Sequence, residues 1–351
     1  MKRLPRCVVL SGGGTRCISF VGGLLFLKRK GLLTAVRRWY CCSAGAFIAV
    51  LFSLGISSKE IMKFVNNFDF SKSRNFNAED IMSIGETFGL DKGFALRKMI
   101  VQLLESIRKG SSQWTLKEFR ETTGMDVHFF ISNITKSIPF YASASSHPNL
   151  FVLDAVYATM AIPLYFCPYK DLVTGDYWCD GMLGGNFPWQ HVPDTDKRDG
   201  IGLYFPQRPV TKKSDFFDYL NSIISFRNNY EQKKIVDAWS VNVISIPTSE
   251  YPSIALDLSK EDRDYLYNKG LNEVKIWWEQ CGSSKFIGLV VPKIAENLLS
   301  SAPPRTRSLS LPHLAELPLD IPKFLRTPCK DSPLSQDQLP ASGPRARRWS
   351  V

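Results

Sequence analysis

Apolar and polar positions along this chain follow two alternating periods, one typical of buried strands and one typical of helices. Short apolar runs bounded by turn residues predict strands, among them Cys7–Leu10, Trp39–Cys42, Asp126–Ile131, Pro139–Ala142, Asp176–Asp180 and Val241–Ile246. Helical periods predict helices between them, chiefly the stretch ending at Lys30, Ala44–Leu54, Val152–Ala161, Ser214–Tyr230 and Leu258–Gln280. Because regular alternation of strands and helices is typical of α/β proteins, we predict an α/β domain over residues 6–290.

The end of the chain differs from the rest in composition. Nine of the 21 prolines lie after residue 300, together with several serines and few large apolar side chains. Such a segment buries too little apolar surface to offset the entropy lost on ordering, so we predict a disordered, basic tail over residues 300–351. Within it, Arg307–Pro312 resembles the phosphoserine motif bound by 14-3-3 proteins, which makes phosphorylated Ser310 a candidate docking position.

The charge and the apolar content of the chain restrict the classes of partner that it can bind. The 351 residues carry a net charge of +11, which favours an anionic partner. Nucleic acid is the weaker choice, because the basic residues are spread along the chain without interleaved aromatic residues. The longest apolar run, Phe47–Leu54, is far shorter than the roughly 18 to 20 residues that span a bilayer, and the apolar run before Ser11 is too short for a secretory signal. We therefore expect a cytoplasmic protein that associates peripherally with membranes.

The cysteines point to the same compartment. The chain has eight of them, no two form a CxxC pair, and most lie in apolar segments. This distribution is typical of reduced thiols inside a cell. We expect neither a metal nor an organic cofactor.

A glycine-rich segment is the first candidate for chemistry. Gly12, Gly13 and Gly14 precede Arg16 between a predicted strand and a predicted helix. Consecutive glycines let backbone N–H groups face one concavity, where they hold negative charge. Phosphate binding, dinucleotide binding and an oxyanion hole all use such a loop, and a purely structural turn is a further interpretation. The sequence lacks the Lys-Ser/Thr pair of a Walker loop, and Cys17 replaces the last glycine of a dinucleotide loop.

A serine and an aspartate occupy two further strand ends. Ser43, Ala44 and Gly45 match the trailing half of the G-x-S-x-G nucleophile elbow, and Cys41 stands where the leading glycine is usual. A serine that caps the following helix is the alternative interpretation. Asp180 ends a predicted strand, where a carboxylate can face a neighbouring strand end; an Asx-turn is the alternative there.

In order and spacing these segments resemble the patatin-like phospholipase family over about Arg6–Gly282. Leu10–Arg16 is similar to the family's glycine-rich oxyanion loop, Ser43–Ala46 to its nucleophile elbow, and Asp180-Gly181 to its catalytic Asp-Gly. Intervening segments also resemble the family, namely Ile131–Thr135, Asp154–Val156, Ala161–Pro163, Asn186–Pro188 and Asn268–Gly270.

The resemblance implies a patatin-like three-layer fold with a mainly parallel sheet between helices. It implies hydrolysis of acyl esters of phospholipids or neutral glycerolipids at a membrane surface, with Ser43 as nucleophile and Asp180 as general base. The remaining roles fall on residues around the two turns: Gly12, Gly13 and Gly14 as the oxyanion hole, with Arg16, Ala44, Gly45 and Gly181 in support. For Arg16 three interpretations stay open, which are holding the loop, meeting a headgroup phosphate and forming a surface ion pair.

Departures from the family pattern define the alternatives. Cys17, Cys41 and Met182 stand where small residues are usual; each adds bulk at a tight turn, and none removes a reacting group. A catalytically weak or inactive lipid-binding scaffold on the same fold is the alternative function, and a nucleotide-binding protein is a third. His191 could complete a Ser-Asp-His triad, but no motif surrounds it, so we interpret it as a solvated loop residue.

Overall fold

A mixed eight-stranded sheet forms the centre of the described part of the protein. The computed structural model describes residues 4–67, 82–206, 216–248, 250–251 and 258–286. Helices flank the sheet, so the predicted α/β fold class is confirmed. Among these residues no helix is both long and apolar enough to cross a bilayer. The predicted tail over 300–351, with Ser310, lies outside the described residues.

The strands run largely parallel. In chain order they are β1 Cys7–Leu10, β2 Arg38–Cys42, β3 Gly89–Asp91, β4 Asp126–Asn133, β5 Ile138–Ala142, β6 Leu164–Phe166, β7 Tyr169–Lys170, β8 Tyr177–Asp180, β9 Gly200–Tyr204 and β10 Val243–Ser245. The sheet has the order β10-β9-β1-β2-β4-β8-β7, and β5 pairs with β4. The strands from β10 to β4 are parallel, whereas β5, β8 and β7 each pair antiparallel. Strands β3 and β6 form a separate parallel pair.

The helices connect these strands. They are α1 Ile18–Arg29, α2 Ala44–Ser53, α3 Ser58–Asn67, α4 Ile84–Thr87, α5 Phe94–Ile107, α6 Leu116–Thr123, α7 Val152–Met160, α8 Met182–Gly185, α9 Asp194–Arg198, α10 Phe216–Ala238, α11 Lys260–Trp277 and α12 Ser283–Lys285. Ser259 caps the N-terminus of helix α11, and its side chain accepts the N–H of Asp262 in a capping box. None of the seven cysteines among the described residues forms a disulfide.

The structure departs from the sequence predictions at several elements, among them β9 and α10. Strand β9 has no counterpart in the sequence analysis, because Gly200 and Gly202 interrupt its apolar pattern. Both glycines are needed for packing, since a Cβ on Gly202 would lie 2.7 Å from the Phe187 ring and 3.0 Å from the Trp189 ring. Helix α10 continues eight residues beyond its predicted end at Tyr230. There Ile235, Val236 and Trp239 pack against the core beside β1 and β10, which stabilises the extra turns.

A change of partner along one edge of β4 positions the two candidate catalytic residues. Strand β5 pairs with residues 129–133 on one edge, so the other edge must serve both β2 and β8. On that edge β2 ends with Cys42 opposite Phe130, and β8 takes over with Asp180 opposite Ile131. Asp180 therefore lies directly beyond the end of β2, where Ser43 follows.

Helices α1 and α11 pack with their backbones in close approach. A Cβ on Gly22 would lie 2.0 Å from the Tyr267 carbonyl oxygen, and a Cβ on Gly270 would lie 1.8 Å from the Ser19 carbonyl oxygen. Real Cβ atoms do not approach backbone oxygens this closely. Glycine is therefore required at these positions if the two helices are to keep their spacing.

We expect Gly270→Ala to lower the free energy of unfolding by about 1–3 kcal/mol, because the added methyl group forces two packed helices apart. Urea denaturation followed by circular dichroism measures this. Gly85→Ala is the matched control, since a Cβ there meets nothing within 4 Å and should leave stability equal or slightly higher. Equal stability of the two variants would contradict the close approach of α1 and α11.

Candidate active site

Ser43 lies at a strained turn between β2 and α2. Its backbone has φ 50° and ψ −133°, and it is one of four described residues other than glycine with positive φ. Such a conformation costs about 1–3 kcal/mol, so surrounding bonds must hold it. The Ser43 N–H donates to Thr159 Oγ1 at 2.9 Å, and the Thr159 hydroxyl donates to the Phe130 carbonyl at 2.6 Å. Because the Ser43 side chain makes no capping bond, the helix-cap interpretation is wrong.

Small residues are needed around this turn. A Cβ on Gly45 would lie 2.4 Å from the Ser11 carbonyl oxygen, and one on Gly12 would lie 3.1 Å from the Ser43 Cβ. Ala44 begins α2 and is buried. Cys41 is fully buried within β2, paired between Leu10 and Phe129, and the turn still forms after it. The cysteine is thus accommodated by the sheet and does not prevent the elbow.

Asp180 is a buried carboxylate held by several donors. It is 1% exposed, and its backbone N–H donates to the Ala161 carbonyl at 2.9 Å. Its Oδ1 accepts the Met182 N–H at 3.0 Å and lies 3.5 Å from the Cys42 Sγ, which donates to it. The Ser43 side chain also hydrogen-bonds the carboxylate.

The surroundings of Asp180 make it a stronger base than an ordinary aspartate. Burial raises its pKa to about 6, although the hydrogen bonds from Ser43, Met182 and Cys42 act in the opposite direction. Desolvation penalises the charged form, whereas donors to the carboxylate favour it. At neutral pH the side chain is therefore ionised, yet its affinity for a proton is close to what catalysis near neutrality requires. Gly181 keeps the adjoining turn tight, because a Cβ there would lie 2.4 Å from the Phe130 carbonyl oxygen.

The glycine loop offers two backbone donors beside this pair. The Gly12 N–H donates to the Asn186 carbonyl at 2.9 Å, and the Asn186 side chain donates back to the Gly12 carbonyl at 3.0 Å. The Gly12 amide is thus occupied, which argues against its expected role as an oxyanion donor and makes it a fixed point of the loop. Within the described ranges no acceptor is recorded for the amides of Gly13 and Gly14. Gly14 has φ 54°, which favours glycine.

Arg16 supports the loop from inside the protein. It is only 4% exposed, and its Nε donates to the Gly13 carbonyl at 3.3 Å. Its guanidinium also stacks over the Phe205 ring at 5.1 Å from the centroid. Arg16 is therefore not a surface residue, and the bond to Gly13 agrees with a loop-holding role.

The fold does not place His191 in contact with Ser43 or Asp180. It ends a short 3₁₀ helix, is exposed, and contacts Gln190 and the Phe130 ring. Its recorded contacts include neither Ser43 nor Asp180, which disfavours a triad. Nor do the described residues contain a His, Cys, Asp or Glu cluster that could hold a metal ion.

Three contacts at the site were absent from the sequence analysis. Thr159 and Cys42 carry no local motif, and their roles arise from strand and helix packing. Asn186 lies in the segment resembling the family, but nothing in the sequence shows that it bonds the glycine loop. All three act through hydrogen bonds between elements distant in the chain.

The patatin-like phospholipase family model matches residues 8–192, a span that contains the glycine loop, Ser43 and Asp180. The chain belongs to the patatin-like phospholipase family. This confirms the family that the three segments suggested, and the matched span covers the sheet from β1 to β8.

Similar proteins come from viruses and bacteria. The probable lipid hydrolase 463L of Invertebrate iridescent virus 6 is 25% identical over 274 residues, which are 76% of this chain and 86% of the viral protein. The uncharacterized protein YqhO of Bacillus subtilis strain 168 is 25% identical over 293 residues, 78% of this chain and 97% of YqhO. The crystal structure of VipD from Legionella pneumophila superposes with a TM-score of 0.50 and 16% identity, covering 80% of this chain and 71% of VipD, and shows a shared fold.

The raised pKa of Asp180 predicts that Asp180→Asn stabilises the protein at neutral pH. The pKa of this carboxyl rises from 3.8 to about 6 on folding, so the folded protein loses stability as pH rises through that window. The neutral amide avoids this loss, so the variant should be more stable by about 3 kcal/mol at pH 7 and no more stable at pH 4. Urea denaturation at both pH values measures the difference. A less stable variant at pH 7 would mean that the carboxylate is not desolvated.

Proposed function

We propose that this chain is a lipid acyl hydrolase, of phospholipase A or neutral glycerolipid esterase type, that works through a Ser43 acyl-enzyme. The observation that carries the proposal is the strained Ser43, hydrogen-bonded to a buried carboxylate whose pKa is raised to about 6. Membership of a phospholipase family and similarity to a protein named as a probable lipid hydrolase support the substrate class.

The geometry supports a two-step reaction without histidine. In the first step the Ser43 oxygen attacks the ester carbonyl carbon while Asp180 accepts the hydroxyl proton. The negative charge that develops on the carbonyl oxygen is received by the N–H groups of Gly13 and Gly14. When the intermediate collapses, the lipid alcohol leaves with the proton from Asp180, and the acyl group stays on Ser43.

Hydrolysis of the acyl-enzyme reverses these roles. A water molecule gives its proton to Asp180 and its oxygen attacks the acyl carbon, again with charge at the glycine loop. Collapse releases the fatty acid, and the proton returns to the Ser43 oxygen. Asp180 must accept a proton in one half of each step and release it in the other. Its pKa should therefore lie near the working pH, and burial raises it toward that value. Each oxyanion donor typically contributes about 10²–10³ in rate.

The alternative of an inactive scaffold has less support than the enzyme. Cys17 and Cys41 are fully buried, and Met182 contributes its backbone N–H to Asp180 while its side chain is buried. None of the three prevents the contact between Ser43 and Asp180. A nucleotide-binding function has no feature in its favour beyond the glycine loop itself.

Covalent labelling with a fluorophosphonate tests the nucleophile directly. We expect labelling of the wild type and none of Ser43→Ala, with ester hydrolysis reduced by about 10³-fold or more. Ser53→Ala is the matched control, since Ser53 is a buried serine at the end of α2, the helix that follows Ser43. This variant should label like the wild type. A folded wild type that neither labels nor hydrolyses esters would establish the scaffold instead.

The pH dependence of kcat/KM tests the base. Only ionised Asp180 accepts the proton, so activity should be constant above pH 7 and fall about tenfold per unit below pH 6. His191→Ala should keep both the rate and this acid limb. The control is needed because histidine side chains ordinarily titrate near pH 6.5, close to the expected acid limb, and partial burial lowers the pKa of His191. Loss of the limb in that variant would favour a histidine base.

A further inference from the structure

Two turns extend from the sheet beyond the candidate active site. From Asp180, opposite Ile131, strand β8 continues back to Tyr177, whose carbonyl accepts the Ile134 N–H. Three residues of strand span about 10 Å, so the turns that follow lie at least that far outward from Asp180. One turn joins β4 to β5 and the other joins β7 to β8. Both turns therefore lie at the end of the sheet where β2 stops and Ser43 follows.

Hydrogen bonds tie the two turns into one unit. Asp176 of the β7–β8 turn accepts from Asn133 Nδ2 at 2.7 Å and from Lys136 Nζ at 2.7 Å. The Tyr177 N–H donates to Thr135 Oγ1 at 2.8 Å. These bonds cross from one turn to the other, so the turns hold a fixed position relative to each other.

The β7–β8 turn is ordered by its own polar groups. Buried Asp171 accepts the Thr174 N–H at 2.9 Å and the Thr174 hydroxyl at 2.6 Å, and its N–H donates to the Asp176 carbonyl. Yet two of the four exposed residues of this turn are large and aliphatic: Leu172 is 72% exposed and Val173 is 92% exposed. Turns facing water usually carry polar residues at such positions. A stiff turn with two aliphatic side chains at its end is suited to an apolar environment.

The neighbouring β4–β5 turn also has exposed aliphatic side chains at its two ends. Ile134 and Ile138 are 42% and 52% exposed. With Leu172 and Val173 they form four exposed aliphatic side chains on tied turns, which we call the apolar tip.

The charges beside the apolar tip have one sign at the surface. Asp171 and Asp176, the acidic residues of the β7–β8 turn, are both buried. Lys136 and Lys170 are exposed, and the Lys170 ammonium lies 5.6 Å from the Tyr177 ring centroid. Exposed lysines around aliphatic side chains are typical of surfaces that enter the headgroup layer of anionic membranes.

We propose that the apolar tip docks the protein on an anionic phospholipid bilayer and thereby presents lipid esters to Ser43. The inference rests on the proposed function for its choice of substrate, but its binding step does not require catalysis. Insertion of the tip would turn the strand ends that carry Ser43 and Asp180 toward the bilayer, with Asp180 at least about 10 Å from the inserted side chains. Lys170 would then meet lipid phosphates while the aliphatic side chains enter the acyl boundary, and Lys136 would stay paired with Asp176.

Vesicle binding in a catalytically inactive background tests the docking step. Ser43→Ala would be compared with Ser43→Ala carrying Leu172→Ser and Val173→Ser, using phosphatidylcholine vesicles with about one third phosphatidylserine. We expect the added changes to weaken sedimentation with vesicles by about tenfold or more, with an unchanged melting temperature because both residues are exposed. Lys170→Gln should weaken binding to these vesicles but not to pure phosphatidylcholine.

Phe226→Ser is the matched control, since Phe226 is an aromatic residue on α10 that is 80% exposed outside the tip. It should bind vesicles as the parent does. Unchanged binding by the Leu172/Val173 variant, or an equal loss with Phe226→Ser, would overturn the proposal. So would a parent that self-associates through the tip, detected as a dimer in sedimentation velocity that the same two substitutions abolish.

Activity separates failure of docking from failure of the proposed function. When Ser43 is retained, the variant with Leu172→Ser and Val173→Ser should hydrolyse soluble p-nitrophenyl butyrate at the wild-type rate. It should hydrolyse vesicle phospholipid at least about tenfold more slowly than the wild type. Loss of both activities to the same degree would show that the turns support the catalytic pair, and would overturn the docking role. Absence of ester hydrolysis in the wild type would contradict the proposed function, while docking would still be decided by the vesicle data.

Discussion

The single edge of β4 that serves two partners is the constraint on which the rest of the site depends. A strand has two edges, and β5 occupies one of them along residues 129–133. Strands β2 and β8 must therefore meet end to end on the other, and they meet between Phe130 and Ile131. Because β2 arrives parallel and β8 antiparallel, the C-terminal ends of both strands converge there. Ser43 and Asp180 follow from that convergence, and no long loop is needed to bring them together.

The convergence has two energetic costs, backbone strain at Ser43 and lost hydration at Asp180, which the surrounding hydrogen bonds offset in part. Ser43 takes a conformation that side chains disfavour, and the Thr159 hydroxyl accepts its N–H while donating to Phe130. Asp180 loses its hydration, and Met182, Cys42 and Ser43 donate to it. In both cases the compensation is incomplete, since the strain persists and the pKa stays raised. Sites whose groups are held away from their local optimum in this way are typical of catalysis.

Local pattern was enough to predict the turns but not their contacts. The helix after Ser43 and the strand before Asp180 both depend on neighbours within a few residues, and the structure has both of them. Strand β9 and the bond that occupies the Gly12 amide depend on residues far apart in the chain. So does the burial of Arg16, a residue whose charge alone suggests the surface. Such features are decided by packing between elements, which periodicity does not encode.

The same distinction explains why bulky residues at tight turns leave the site intact. Cys41 is inside β2, where it is fully buried and pairs with Leu10 on one neighbouring strand and with Phe129 on the other. Met182 contributes its N–H to Asp180, and any residue except proline can do that. At the turns that carry Ser43 and Asp180, a Cβ on Gly45 or on Gly181 would collide with a backbone oxygen, and there the chain keeps glycine. The turns therefore tolerate a side chain where it points into the core, and they require glycine where another backbone passes within contact.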